Sequence, residues 1–137
     1  MDLFNPTPEH GLLRDMVRTF AREELEPQAA AHDREEKFNL PLFRKLGSLG
    51  LLGLTVPEKF GGSHQDAAAA CIVHEELSWS DPGFALAYLA HSMLCLNNFV
   101  HNASEAQKEK YLPKLCSGEW VGAMAIDRKS TRLNSSH

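Results

Sequence analysis

Cysteine is sparse in this sequence and follows no pattern. Cys71, Cys95 and Cys116 are odd in number and fall in no C-x-x-C spacing, so they read as small core residues in a reducing compartment rather than as metal or redox groups. Positive charge is scarce as well: 14 Lys and Arg stand against 18 Asp and Glu, a formal net charge of −4. Residues 127–137 contribute +2 of their own, which leaves the preceding part at −6. An acidic body without a basic stripe argues against nucleic acid or an anionic membrane as a partner. The opening MDLFNPTPEH lacks the basic start and apolar run of a secretory signal. No apolar stretch approaches the roughly 20 residues that span a bilayer, so the expectation is a cytoplasmic protein with no membrane span. Met1–Ile126 holds no internal repeat and no low-complexity segment.

What is present suits one globular domain. A chain of 137 residues buries roughly two-thirds of its unfolded surface, and 43% hydrophobic against 23% charged residues argues against disorder. The pattern is helical nearly throughout. Thr7 can cap a first helix with Pro8 at its first position, and Leu13, Met16, Val17, Phe20 and Ala21 follow at spacings of three and four. Pro27 interrupts that stripe and starts a short second helix. Pro41 opens a third, with Phe43, Leu46 and Leu49 inward and Gly50 as a left-handed cap. LLGLTVPEKFGGS then reads as an ordered connection: its glycines and proline oppose a regular helix, and its leucines oppose solvent.

A fourth helix covers about 65–79, and its alanine run Ala67–Ala70 lets a neighbour approach closely. Pro82 starts a fifth that is apolar on all sides, the mark of a central helix. Ser104 and Gln107 form the capping box of a sixth, which ends near Pro113. Trp120–Ile126 switches to an extended reading that requires strand partners, and no strand-like segment follows it. The fold class is therefore all-α, a bundle of about six helices with one strand at its end.

Several suggestive groupings fail on geometry. His74-Glu75-Glu76 lacks the second histidine that H-E-x-x-H zinc binding needs four residues on, so no metal site is expected. Glu75 and Glu76 point about 100° apart on a helix and cannot face one substrate as a pair. Gly61-Gly62 has no following lysine and reads as a turn. His91 reads as a hydrogen-bonded core histidine, and His101 as a C-terminal dipole partner.

Three segments, LGSLGLLGLTVPEKFGG, EELSWSDPGFALAYLAHS and QKEKYLPKLCSGEWVGAMA, carry a resemblance to the N-terminal helical domain of the acyl-CoA dehydrogenase family. AHSMLC, NNFVHN and EAQKEKYLPKLCSGE are most similar to its isovaleryl-CoA, short-branched-chain branch. The resemblance implies residues 1–119 as the helical domain, residues 120–126 as the start of a β-domain, and an enzyme whose FAD lies between later domains. In that family a carboxylate takes the α proton of an acyl-CoA thioester as the β hydride moves to flavin, and an electron-transfer flavoprotein receives the electrons. Homotetramers are usual.

The resemblance also implies candidate site residues. Leu86, Ala87, Ala90 and Leu94 match the wall of the acyl pocket, where a small Ala90 beside Leu86 leaves width for a short or branched acyl chain. The same four positions equally suit a plain buried stripe. Met124, Ala125 and Ile126 match the first residues of the flavin-contacting strand, with mainly backbone contacts. The Ser/Thr-Glu-Pro turn that follows in the family is replaced by Asp127-Arg128-Lys129, and residues 127–137 resemble a translated sequencing adapter. The expectation is thus a truncated fragment without its catalytic carboxylate, inactive alone and without tight FAD binding. Two other readings stay open: an acyl-CoA oxidase-like relative, and a free-standing helical interaction module.

Overall fold

The computed structural model describes residues 2 and 4–125, so Ile126 and the 127–137 tail lie outside the described residues. Thr7 starts α1 (Pro8–Phe20) by accepting the His10 amide, with Pro8 in the first turn. The chain does not break at Pro27, as the sequence suggests, but widens. Ala21–Leu25 is π-helical and passes directly into α2 (Glu26–Arg34). The Glu26 amide reaches back five residues to the Ala21 carbonyl, so the donor that Pro27 lacks falls where the hydrogen-bond ladder is already shifted.

Asn39 caps α3 (Leu40–Ser48) through the Leu42 amide. Leu42, Phe43 and Leu46 are its buried face, whereas Leu49 lies past its end and stays 37% exposed, correcting the inward placement of that residue. The 51–65 connection packs as expected. Leu51, Leu52, Leu54, Val56 and Phe60 are buried, and the Ser63, His64 and Gln65 amides fold back onto the Gly53, Val56 and Leu54 carbonyls. Gly62 is required there, because a Cβ would overlap the Val56 carbonyl.

Asp66 caps α4 (Ala67–Ser80), and Asp81 caps α5 (Pro82–Leu89). α5 runs on through π-helical Ala90–Asn97 into α6 (Asn98–Asn102). That 21-residue rod, with a mean hydropathy of 1.2 over its most apolar 18-residue stretch, is long and apolar enough to cross a membrane by length and composition, which corrects the sequence reading. It serves here as the bundle's central element, burying Phe84, Ala85, Tyr88, His91, Ser92, Cys95 and Leu96. Ser104 and Gln107 make the expected capping box of α7 (Glu105–Ser117). Pro113 sits inside that helix instead of ending it. Its ring faces solvent while Leu112, Leu115 and Cys116 hold the next turn in the core, and Gly118 closes it at φ 81°.

The expected all-helical architecture thus stands, in five continuous rods among the described residues. α4 lies between α1 and α5. One apolar cluster joins Val17, Phe43, Leu46, Val73, Leu77 and Tyr88; a second, around Leu96, Leu112 and Leu115, packs α7 beneath the π-helical stretch. Cys95 and Cys116 are buried as expected, but Cys71 is exposed. Val121–Ala125 has no helix and pairs with no strand among the described residues.

Close approach of α3 and α7 depends on Gly47, where a Cβ would strike the Ser117 carbonyl. Gly47→Ala is expected to destabilise the chain by about 1–3 kcal/mol. Gly11→Ala, in a helix interior with open space around it, is expected to stabilise by about 0.5–1 kcal/mol. Urea denaturation of the two variants against the parent checks both signs.

Candidate functional site

Glu76 is the best-held charge in the bundle. It lies on the buried side of α4, where Arg14 Nη1 donates to its Oε1 at 2.6 Å. Arg18 grips both carboxylate oxygens, at 3.0 and 2.9 Å. Arg14 also donates to Glu75 at 2.8 Å, to the Asn5 side chain at 2.9 Å and to the Phe4 carbonyl at 3.1 Å. Arg14 and Arg18 recur every fourth residue of α1, so one helix face meets one carboxylate. Hydrogen bonding from Arg18, with Arg14 adding to it, holds the Glu76 carboxyl below the usual range despite burial. Such a group is ionised and fully engaged, as a structural residue should be. Glu75, 59% exposed at its side chain, shares the cluster; the small cavity that both carboxylates line is also lined by Arg14, Arg18 and Arg22, so the pair faces guanidinium groups and is not a free general-base pair.

The four expected pocket residues form an open face. Leu86, Ala90 and Leu94 succeed one another at four-residue intervals along the central rod. Leu86 is 64% and Leu94 39% exposed, and Ala87 and Ala90 are half-buried. The structure thus brings them onto one surface strip, not into a closed pocket or a buried stripe. A helix apolar on all sides but covered on one is the physical signature of a surface made to be covered.

A cavity of about 620 Å³ opens on the adjacent strip of the same rod, lined by Leu89, Met93, Asn97 and His101 and, across it, by Thr55, Cys71 and His74. His74 Nδ1 donates to the Ala70 carbonyl at 2.7 Å. Its Nε2 and Thr55 Oγ1 are buried without a hydrogen-bond partner among the described residues. The sequence weighed His74 only as a zinc ligand. No group of three or more metal-ligating side chains occurs among the described residues. The four-residue recurrence of Leu89, Met93, Asn97 and His101 was the available signal, but which strip stays uncovered depends on how α4 seats.

Met124 and Ala125 lie exposed in the segment leaving α7; Ile126 lies outside the described residues. Behind that segment, His91 is fully buried, with its ring edge-on to Phe43 at 5.3 Å. Its Nδ1 accepts the Gly122 amide at 2.9 Å and its Nε2 pairs with the Leu115 carbonyl at 3.0 Å. This is the hydrogen-bonded core histidine that was expected. Burial pushes its pKa below the ordinary imidazole value, and the Leu115 carbonyl only partly opposes that.

With this geometry the comparisons with known proteins agree. Residues 7–119 match the family described as "Acyl-CoA dehydrogenase, N-terminal domain". The chain belongs to the acyl-CoA dehydrogenase family, through its N-terminal domain. It is 48% identical over 120 residues to isovaleryl-CoA dehydrogenase, mitochondrial, of Pongo abelii, a match spanning 86% of this chain and 28% of that protein. Among solved structures, an acyl-CoA dehydrogenase complexed with FAD from Bacillus anthracis is 32% identical with a TM-score of 0.79, covering 85% of this chain and 20% of that one. A chain in a structure of the electron transferring flavoprotein of Acidaminococcus fermentans is 32% identical with a TM-score of 0.86, covering 95% and 34% respectively. The chain therefore spans about a third or less of the length of these relatives.

Glu76→Ala removes the carboxylate from half-exposed Arg18 while buried Arg14 keeps Glu75, and is expected to cost about 1–3 kcal/mol in denaturant titration. Acid should act in two stages. His91 is held neutral, so stability is complete above its unfolded pKa near 6.5 and declines as pH falls below that value toward its lower folded pKa. Glu76 has a depressed folded pKa, so its contribution is complete above its unfolded value near 4.5 and is lost as pH falls through the folded value. Denaturation midpoints from pH 8 to pH 3 should show both declines, and His91→Gln should flatten the upper one.

Proposed function

We propose that this chain acts as the helical domain of an FAD-dependent acyl-CoA dehydrogenase that desaturates a short or branched acyl-CoA thioester between Cα and Cβ. The observation that carries this is the open strip Leu86–Ala90–Leu94 on the central rod of a domain that belongs to the family. Leucines at both ends and a small residue between them make a shallow apolar recess, which suits a branched or short acyl tail and gives a long straight chain no depth. Its half-buried and exposed side chains would exclude water from the tail and orient Cα and Cβ; the strip offers no charged group that could exchange a proton. The identity to a protein named isovaleryl-CoA dehydrogenase supports the branched substrate.

FAD is the proposed cofactor and supplies a hydride acceptor when bound. The described residues fit it at one edge. Met124 and Ala125 are exposed, with backbone groups unengaged by any sheet among the described residues, and could line one side of a flat ring system. We assign no phosphate grip and no catalytic carboxylate within this chain, and on this reading it does not turn over substrate or hold FAD tightly alone. Electron-transfer flavoprotein as electron acceptor and a homotetrameric assembly belong to the same proposal; the likeness to a chain in a flavoprotein structure supports the former. A free-standing interaction module would call for polar residues on the open face, and the leucines there favour the enzyme reading.

Fusing residues 1–125 to the remainder of the Pongo abelii enzyme tests the proposal. The expected product is yellow and reduces an electron-transfer flavoprotein or a dye with isovaleryl-CoA. A folded but colourless or inactive fusion overturns it. Within the fusion, Ala90→Phe should lower kcat/KM on the branched substrate by roughly tenfold or more while melting temperature changes little. Equal loss of both would make Ala90 a packing residue.

A further inference from the structure

Val121–Ala125 is non-helical and largely exposed, yet it has no strand beside it among the described residues. Extended backbone is normally held in register by a neighbouring ladder, and a slip of one residue would turn each side chain to the opposite face. Here the partner is a helix, through its side chains. The Gly122 amide donates to His91 Nδ1 at 2.9 Å. The Ala123 amide lies beside the Cys95 sulfur, where it partly opposes the rise that burial imposes on the thiol pKa. Asn98 Nδ2 donates to Met124 Sδ at 3.7 Å. Three successive residues of the segment thus meet three successive steps along the central rod. The start is pinned too, by the Trp120 amide on the Lys114 carbonyl at 3.1 Å.

Two details show that this seat is built. A backbone amide can only donate, so His91 Nδ1 must carry a lone pair, and the proton therefore sits on Nε2, which donates to the Leu115 carbonyl. One neutral imidazole thereby ties the end of α7 and the departing segment to the same rod. Second, the approach demands glycine: a Cβ on residue 122 would lie 2.5 Å from Cys95 Sγ and 3.0 Å from Cys95 Cβ. The π-helical winding of Ala90–Asn97 sets where the His91 and Cys95 side chains emerge, and such windings recur at functional positions.

We propose that His91 and Cys95 are positioning residues, a side-chain clamp that fixes the register of Val121–Ala125 along the central rod. On the dehydrogenase reading above, on which this consequence rests, the clamp sets where the backbone of Met124 and Ala125 lies against the flavin.

The clamp is tested in the 137-residue chain by NMR. The ¹⁵N shifts of His91 should show Nδ1 bare and Nε2 protonated, and the Gly122 and Ala123 amides should exchange slowly. In His91→Leu, exchange at those two amides should rise by about tenfold or more, beyond any change at the Val73 and Leu77 amides of α4, which report global opening. His91→Gln, whose amide can both accept and donate, should recover most of the protection; Cys95→Ala should release Ala123 while Gly122 stays protected. Protection unchanged in His91→Leu, or a proton found on Nδ1, overturns the clamp. Should His91→Leu fail to fold, the parent's tautomer and the Gln and Cys95 variants still decide. In the fusion protein, a flavin absorption band that shifts with His91→Leu and returns with His91→Gln is the expected result. A bound flavin indifferent to both overturns the reach to the flavin, whereas a fusion that takes up no flavin counts against the dehydrogenase reading and leaves the exchange rates to judge the clamp.

Discussion

The rod from Pro82 to Asn102 buries three polar side chains, Tyr88, His91 and Ser92, and that constraint organises everything around it. Tyr88 is wholly buried and donates its hydroxyl proton to the Leu51 carbonyl at 2.7 Å, tying the 51–65 connection to the rod. Ser92 donates to the Tyr88 carbonyl one turn back. His91 joins the end of α7 and the segment beyond it. Each of these groups would cost about 1–3 kcal/mol if left buried and unpaired. The backbone elements that satisfy them are therefore held in place by the penalty for moving, and separate pieces of chain become one body around one helix.

Charge plays the corresponding part on the other side of α4. Arg14 and Arg18 converge on Glu76, and Arg14 extends the contact to the chain before α1. Near the start of α4, His10 reaches Asp66 at 2.9 Å while Asp66 also caps that helix through Ala69; the His10 contact and the Ala69 amide together lower the Asp66 pKa. α1 and α4 are in this way locked at both ends by groups that need each other ionised or hydrogen-bonded. The structural consequence is a frame braced from two sides. The central rod has one side committed to this frame and the other, with Leu86, Ala90 and Leu94, left free of it.

Much of the fold was legible because its determinants are local. Thr7, Ser104 with Gln107, and Pro82 act on amides within a turn of themselves, and the stripe of Val17 and Phe20 repeats with the helix period. Prolines misled for the converse reason. Whether Pro27 and Pro113 end a helix depends on what happens to the lost hydrogen bond, and here a π-helical widening and a solvent-facing ring absorb it. Leu49 was placed inward by spacing alone, but the helix stops one residue short of it. Of the candidate site, the strip of Leu86, Ala90 and Leu94 could be read from four-residue spacing and family likeness; its openness could not.

By itself, then, the sequence determined helix starts, part of the buried faces, the all-α class and the family, since each of these is set by short-range hydrogen bonding, by periodic burial or by likeness of segments; Met16 and Leu49 fit the period yet stay exposed. Tertiary structure alone decided that Glu76 meets two arginines, that His74 and Thr55 share a cavity, and that His91 grips the segment after α7. The hydrogen bonds among these groups join residues 24 to 62 positions apart, and no local rule reaches so far. They follow from the crossing of packed helices, which fixes distances only once every side chain between them has found its place.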